Sequence, residues 1–290
     1  MRLPHVADDA QRGEEGFRLL RDFIHERFGL YFDESQRKSL LSRLAPRLEL
    51  LGLASLEDYH RYLRFAPDRA EEQLRMVSHV TNNETYFFRE QPQLSVLANH
   101  VLRAIGERKA GTGGRRLNVV SAGCSTGEEP LTIAMILFDG GQLFRGFDLR
   151  ITGIDVDAVA LEKARRGLYR QNSLRAVGAP LLDRHFVKDG AGVRVKEPVR
   201  GAVSFRMGNI LDPASYEDLR PLDVVFCRNV LIYFSDGSVQ RAVSLFERVL
   251  APGGYLFLGH AESLARVASR FVPIRFQGAI VYRKPEEAPS

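Results

Sequence analysis

One loop, Ser121 to Pro130 (SAGCSTGEEP), restricts what this chain can fold into more than any other segment. It follows the apolar residues Leu117, Val119 and Val120 and opens into a largely apolar stretch, Leu131 to Phe138. A glycine loop between a strand and a helix is where open α/β sheets hold nucleotide-type cofactors. Where such a helix faces a pyrophosphate, its N-terminus is kept clear of acids so that it can bind the anion. Here Glu128 and Glu129 stand at the helix start, and two carboxylates repel phosphate. They suit a cofactor that carries positive charge, such as S-adenosylmethionine with its sulfonium and ammonium groups. A methyltransferase is therefore the first reading.

The chain has 290 residues, enough for one large domain or two smaller ones, and its 27% charged residues are ordinary for a soluble globular protein. No apolar run approaches the roughly 18 residues that span a membrane, so no insertion is expected. The N-terminus MRLPHVADDAQRGEEGF has no apolar h-region and does not read as a signal peptide. Cys124 and Cys227 form no CxxC, which points to a reducing, cytoplasmic setting. No Cys/His cluster has zinc spacing, and no metal is expected. Net charge is +5, which permits an acidic partner. Residues 1–80 hold 13 Lys/Arg against 14 Asp/Glu, and the remainder holds 28 against 22. With no basic tail, that excess reads as solvation and not as a nucleic-acid footprint.

The first ~15 residues are polar and read as a frayed end. Phe17, Leu20, Ile24 and Phe28 then recur at helical spacing, with Gly29 closing the segment. A second helix starts near Ser35, buries Leu40, Leu41, Leu44 and Leu48, meets Pro46 as a point of kinking or breakage, and ends at Gly52. Leu56 to Phe65 and Arg69 to Val80 read as two more helices separated by Pro67. Thr81 to Glu90 (TNNETYFFRE) lacks a clean period and serves as a connector into a helix from Gln93 to Lys109, with GTGG at 111–114 as a flexible joint.

Beyond it, strand-like runs at Leu117–Ser121, Arg150–Ile154, Val203–Arg206, Asp223–Cys227 and Tyr255–Gly259 alternate with helix-like runs at Glu129–Phe138, Ala158–Arg166 and Ser238–Leu250. That alternation predicts a parallel, doubly wound sheet. Phe271–Phe276 and Ala279–Arg283, joined by Gln277-Gly278, read as an antiparallel hairpin at the sheet's end, a methyltransferase pattern and not a dehydrogenase one. Residues 184 to 206 break the alternation and read as a small β-hairpin insertion around Asp189-Gly190-Ala191-Gly192. The expected architecture is thus α/β, a Rossmann-like class I methyltransferase sheet with an antiparallel end strand. It comprises an all-helical domain at 15–80, a connector and linking helix at 81–114, and a cofactor domain at 115–284.

Ligands in such sheets sit beyond the carboxyl ends of the strands. Gly123 and Gly127 follow the first strand; Asp155 and Asp157 follow the second; Asn209 follows the third; Arg228, Asn229 and Tyr233 follow the fourth; and Gly259 and His260 follow the fifth. Asp155 is placed to accept from both ribose hydroxyls, whereas Asp157 fits an N-cap for the helix at Ala158. Asn209 suits either a ligand contact or a cap. Arg228 suits either a ligand contact or an ion pair with an acid. One of Glu128 and Glu129 is read as a cofactor contact, and spacing does not say which. His79, His100 and His260 read as structural, and the two cysteines as buried fillers.

The blocks TNNETYFFRE (81–90), SAGCSTGEEP (121–130), GIDVDAVALEKARRGLYR (153–170), FCRNVLIYF (226–234) and APGGYLFLGHAES (251–263) together resemble the CheR family of chemotaxis-receptor glutamate O-methyltransferases, over about residues 17 to 283. The resemblance implies S-adenosylmethionine as methyl donor, S-adenosylhomocysteine as product, and the cytoplasmic helical domain of a methyl-accepting receptor as partner of a monomeric enzyme. It implies cofactor contacts at Asn83, Thr85, Arg89, Gly123, Glu129, Asp155, Asn209, Ile210, Arg228 and Asn229, and so selects Glu129 over Glu128. It places Arg89 and Tyr233 nearest the transferred methyl. It also implies receptor contacts from the basic helix through Arg37, Arg43 and Arg47, although Pro46 and Glu49 stand where some members carry arginine. Members that tether to a receptor's C-terminal peptide carry a longer hairpin loop than Asp189 to Gly192, so no tether is expected. Two alternatives stand beside this reading. A nucleic-acid methyltransferase is disfavoured by Arg228-Asn229-Val230-Leu231 where base amino-methylating enzymes carry an Asn/Asp-Pro-Pro-aromatic motif. A non-catalytic module that senses S-adenosylmethionine is disfavoured by the presence of Arg89 and Tyr233.

Overall fold

The computed structural model describes residues 5–140, 144 and 146–286. By contact the chain divides into two units, Met1–Asn82 with Tyr233–Ser238, and Asn83–Ile232 with Val239–Ser290.

The first unit is built on helices α1 (His5–Phe28), α2 (Arg37–Leu51), α3 (Leu56–Phe65) and α4 (Arg69–Val80). α1 begins ahead of the expected boundary: its backbone is helical from His5, within the stretch read as frayed, while residues 1–4 of that stretch lie outside the described residues. Phe17, Leu20 and Ile24 are fully buried, as their spacing requires. Gly16 lets α1 close on α3, because a Cβ there would sit 3.0 Å from Leu56 Cβ. α2 is entered through a capping box at Asp33 and Gln36, and is closed by Gly52 in the left-handed region. Two expectations for α2 are overturned. Pro46 does not break it, and Leu41 is exposed while Leu40 and Leu44 carry the core face.

A third correction concerns Arg47. It is 8% exposed and turns inward, where its Nε donates to Glu72 Oε1 at 2.9 Å and its Nη2 reaches Glu72 Oε2. Tyr59 donates to the same carboxylate at 2.7 Å. The arginine thus joins α2 to α4 and, through Tyr59, to α3, and is not part of an exposed cationic face. Burial pushes the Tyr59 hydroxyl well above its ordinary value, while the Glu72 hydrogen bond raises Arg47.

Residues 233–238 pack with these helices. Leu30 pairs with Phe234 in an isolated bridge, Tyr31 N–H donates to the Tyr233 carbonyl at 2.8 Å, and His25 Nε2 lies 2.8 Å from Ser235 Oγ.

The second unit starts with irregular chain to Glu90, then α5 (Gln91–Val96), a π-helical turn at Leu97–Val101 and α6 (Leu102–Thr112). The linking helix is thus longer than expected and interrupted by a π turn. Residues 111–112 of the expected glycine joint form its last turn, closed by Gly113 at φ 70°. There follow β1 (Arg116–Ala122), α7 (Glu128–Asp139), β2 (Asp148–Asp155), α8 (Ala158–Arg166), β3 (Leu168–Tyr169), α9 (Ala179–His185), β4 (Phe186–Asp189), β5 (Gly192–Val195), α10 (Glu197–Gly201), β6 (Val203–Met207), β7 (Leu222–Cys227), α11 (Asp236–Val249), β8 (Leu250–Leu258), β9 (Val272–Phe276) and β10 (Ala279–Arg283).

The main sheet has seven strands in the order β6-β2-β1-β7-β8-β10-β9. β6, β2, β1, β7 and β8 pair in parallel, and β10 runs antiparallel to both β8 and β9, which gives the expected hairpin at the sheet's end. Every residue of β7 is buried, the mark of a central strand covered on both faces. Phe226 and Phe257, register partners on β7 and β8, stack at 4.3 Å. The insertion differs from its expected bounds of 184–206. It is a three-stranded sheet, β3-β5-β4, that begins at Leu168, while β6 belongs to the main sheet. Its hairpin turns on Gly190-Ala191, since Asp189 pairs with Gly192.

The inward pair makes a testable prediction. Glu72→Ala strands Arg47 in the core and costs about 3–5 kcal/mol in chemical denaturation. Glu71→Ala, which removes only the exposed pair with Arg75, costs roughly 0.5 kcal/mol or less.

Candidate functional site

The parallel strands of the second unit all end on one edge, and their loops carry the candidate residues. After β1, Gly123 and Gly127 adopt φ 78° and 91° and Ser125 adopts φ 49°. These turns need small residues for space as well as for backbone. A Cβ on Gly123 would fall 2.5 Å from Val230 Cγ2, and one on Gly127 would fall 2.7 Å from Ala164 Cβ.

The loop is held down by acids. Asp155, at the end of β2, is 7% exposed and accepts from Ser125 N–H at 2.7 Å and from Asp157 N–H at 2.9 Å. Each carboxylate oxygen keeps a second lone pair for a ligand hydroxyl. Burial raises its pKa to about 6, against the pull of those backbone donors. Asp157 caps α8, as expected, through Val159 and Ala160 N–H at 2.9 and 3.1 Å.

The two adjacent glutamates part company. Glu128 is 1% exposed and turned inward, where Thr126 Oγ1 donates at 2.6 Å and Ser173 Oγ at 2.8 Å. Burial raises its pKa. It fastens the glycine loop to the insertion and is not a solvent-facing first-turn acid. Glu129 takes Ser121 Oγ at 2.7 Å on one oxygen and Arg228 Nε at 2.6 Å on the other. Arg228 also donates to the Arg89 carbonyl at 2.9 Å and lies 3.7 Å from Glu90. Arg228 is therefore paired with acids, which realises the ion-pair reading of it. The Glu129–Arg228 pair sets an anion and a cation side by side, the complement of an amino-acid zwitterion. With the glycine cradle and Asp155, the residues present fit S-adenosylmethionine.

The connector is pinned rather than loose. Phe87 is fully buried, edge-on to Tyr169 at 4.8 Å and to Phe186 at 5.0 Å. Asn83 Nδ2 donates to Asp157 Oδ2 at 2.6 Å, and Asn83 Oδ1 accepts from Ser125 Oγ at 3.0 Å. The structure thus places Asn83 as a latch between the connector and the glycine loop. Arg89, half-buried, donates to the Glu84 carbonyl at 3.0 Å, and Thr85 is half-buried beside it in sequence. After β6, Asn209 Oδ1 accepts from Leu211 N–H at 2.9 Å in a local turn, but the helical turn that follows, Pro213–Tyr216, is capped by Asp212 through Ala214 N–H at 3.0 Å, so the capping use of Asn209 is not realised; Ile210 is buried. After β7, Asn229 adopts φ 59° and its amide donates to Glu90 Oε1 at 3.2 Å.

Tyr233 groups by contact with the helical unit, where Asn82 Nδ2 donates to its hydroxyl at 2.8 Å. Cys124 and Cys227 are buried with their thiols pushed up by burial, which leaves them unreactive fillers, as expected. Sequence reasoning missed Glu90, Ser125, Ser173 and Glu262. Glu90, Ser125 and Glu262 lie inside the motif blocks, but each acts on a partner distant in sequence, which spacing does not reveal. Among the described residues no group of His, Cys, Asp and Glu forms a metal cluster, and no helix is long and apolar enough to cross a membrane.

Residues 83–279 match the model of the CheR methyltransferase SAM binding domain, and residues 15–81 match that of the CheR methyltransferase all-alpha domain. Chemotaxis protein methyltransferase 2 of Vibrio cholerae is 35% identical over 275 residues, covering 94% of each chain. The chemotaxis protein methyltransferase of Escherichia coli is 35% identical over 271 residues, covering 92% of this chain and 89% of that one. A Pseudomonas aeruginosa protein named "Probable biofilm formation methyltransferase WspC" is 36% identical, and the match covers 92% of this chain but only 61% of that one.

The cradle can be tested directly. Gly127→Ala forces an L side chain into φ 91° against Ala164 and Phe205. The variant is expected to lose roughly 1–3 kcal/mol of stability and to weaken S-adenosylhomocysteine binding in calorimetric titration.

Proposed function

The chain belongs to the CheR family of S-adenosylmethionine-dependent methyltransferases, and on that premise we propose that it methylates glutamate carboxylates of methyl-accepting chemotaxis receptors, as a cytoplasmic monomer, to give glutamate methyl esters. The observation that carries this reading is the acid-lined glycine cradle, with Asp155 behind it and the Glu129–Arg228 pair beside it.

S-adenosylmethionine supplies a methyl group on a positively charged sulfur. A glutamate carboxylate, with an ordinary pKa of about 4.3, is already ionised at neutral pH, so no residue need remove a proton. The protein's task is positioning and the exclusion of water, which favours cancellation of the two charges as the carboxylate oxygen approaches the methyl carbon. Asp155 accepts the ribose hydroxyls. Glu129 and Arg228 hold the amino-acid end. Asn83, Thr85, Gly123, Asn209, Ile210 and Asn229 shape the rest of the cofactor pocket, with Asn83 acting through its latch to Ser125 and Asp157. Arg89 contacts the cofactor and holds one substrate oxygen, and Tyr233 steers the carboxylate by a hydrogen bond.

Arg37 and Arg43 remain the receptor-facing cations on α2; Arg43 is exposed and donates to the Val80 carbonyl at 2.9 Å. Binding is independent of a receptor C-terminal peptide tether, because the insertion's hairpin is closed by a two-residue turn, Gly190-Ala191.

Incubation with labelled S-adenosylmethionine and receptor cytoplasmic fragments tests the activity. Base-labile label on a receptor glutamate is the expected outcome. Intact cofactor binding with no label on any receptor would leave a sensing module as the better reading. A second prediction concerns pH. Ribose hydroxyls need an ionised Asp155, whose pKa stands at about 6 in the folded protein. Affinity for S-adenosylhomocysteine is therefore flat above that pH and falls below it, by up to about tenfold per unit. Asp155→Asn binds more weakly at neutral pH and loses that inflection.

A further inference from the structure

Two carboxylates outside every expected ligand set converge on the segment after β7. Glu262 lies in the turn after β8. Its Oε2 accepts Gly259 N–H at 2.6 Å and Asn229 N–H at 2.9 Å. Its Oε1 accepts Val230, Leu231 and Ile232 N–H at 2.9, 2.7 and 3.3 Å. A carboxylate offers about four lone-pair sites, so this acid is saturated by main chain from two strand-end loops. Glu90 takes the other side. Its Oε1 accepts Asn229 Nδ2 at 3.2 Å. A carboxylate only accepts, which assigns the Asn229 amide: Nδ2 faces Glu90, and Oδ1 is the accepting atom that remains.

The segment between these acids is held in a conformation it would not adopt alone. Asn229 sits at φ 59°, in the left-handed region, which persists where the surroundings over-determine it. Packing leaves it little room. A Cβ on Gly259 would fall 2.8 Å from Asn229 Nδ2, and Val230 presses on Gly123 of the cradle.

We propose that Glu262 is the positioning residue of this cofactor site: by gathering the N–H groups of residues 229–232 it fixes Asn229 towards the cofactor and Val230 against the glycine loop. The proposal rests on the reading of Asn229 as a cofactor contact. Glu262 itself touches no ligand. Glu262→Gln replaces one accepting oxygen with a donor that faces backbone donors, which releases the segment while keeping the side chain's size.

The test is a double-mutant cycle on the full chain, read by calorimetric titration of S-adenosylhomocysteine beside the thermal midpoint. Glu262→Gln and Asn229→Ala are each expected to weaken binding by roughly tenfold or more. Because both remove the same contact, the double variant should bind no more than about threefold worse than the weaker single variant. A Glu262→Gln protein that melts lower but binds within about twofold of wild type would reduce Glu262 to a structural tie and overturn the proposal. Losses that multiply in the double variant would also overturn it. Asn229→Ala with wild-type affinity would instead remove Asn229 as a contact, a separate failure, and Glu262→Gln alone then decides the role of Glu262. Should Glu262→Gln not fold, Glu262→Asp, one methylene shorter with its charge kept, is read by the same criteria.

Discussion

Buried carboxylates at the carboxyl edge of the main sheet are what the site depends on. Parallel strands end there with loops whose N–H groups have no ladder to join, and an unpaired buried N–H costs as much as a lost hydrogen bond. Asp155, Asp157 and Glu262 meet that need, while Glu128 takes the hydroxyls of Thr126 and Ser173. Asp155 ties the glycine loop to the end of β2, Glu128 ties it to the insertion, and Glu262 ties the β7 and β8 loops together. Removing water from such groups is costly, and the raised pKa values of Asp155, Glu128 and Glu262 record that cost. The geometry is rigid because the acids have no cheaper partner than the amides they hold.

The same acids set the chemistry of the edge. Glu90 shows the balance: burial pushes its pKa up, but His260, Arg228 and Asn229 together hold it below the ordinary value. Arg228 reaches two of the rim carboxylates, and with Arg89 it supplies the positive charge on the rim loops after β7 and in the connector. A rim of this kind disfavours phosphate and favours a cationic cofactor, which is the inference first drawn from Glu128 and Glu129. The structure divides that pair: Glu128 builds the loop, and Glu129 pairs with Arg228.

Local signals in the chain were legible where structure is local. Asp157 and Gly167 bracket α8, and Pro67 separates α3 from α4, so those helices fall at their expected bounds. The apolar runs marked the central parallel strands because a strand buried on both faces, such as β7, is almost continuously hydrophobic. The failures have a common cause in partners far apart in sequence. Arg47 reads as a surface cation until Glu72, 25 positions on, takes it into the core. Pro46 reads as a kink or a break, yet α2 runs through it, with Leu40 and Leu44 buried on its core face. β3 is two residues long, too short for any period to show, so the insertion was expected to begin too late. Glu262 lies inside a recognised block, but nothing in its spacing says that it serves a loop about thirty residues earlier.

A chain with net charge +5 that gathers acids at its cofactor edge is not inconsistent, because the two charges act over different ranges. Exposed cations are screened within a Debye length of about 8 Å and act on what approaches the surface. Buried acids act through hydrogen bonds at 2.6 to 3.3 Å, in a medium where water does not intervene. The first kind of charge can change between relatives with little cost to the fold, since each surface ion pair contributes about 1 kcal/mol or less. The second kind cannot, because each acid closes a network that leaves buried donors unmet if it is broken. Exposed charge along α2 is therefore free to drift, while the loops at the carboxyl edge stay fixed by Asp155, Glu128 and Glu262.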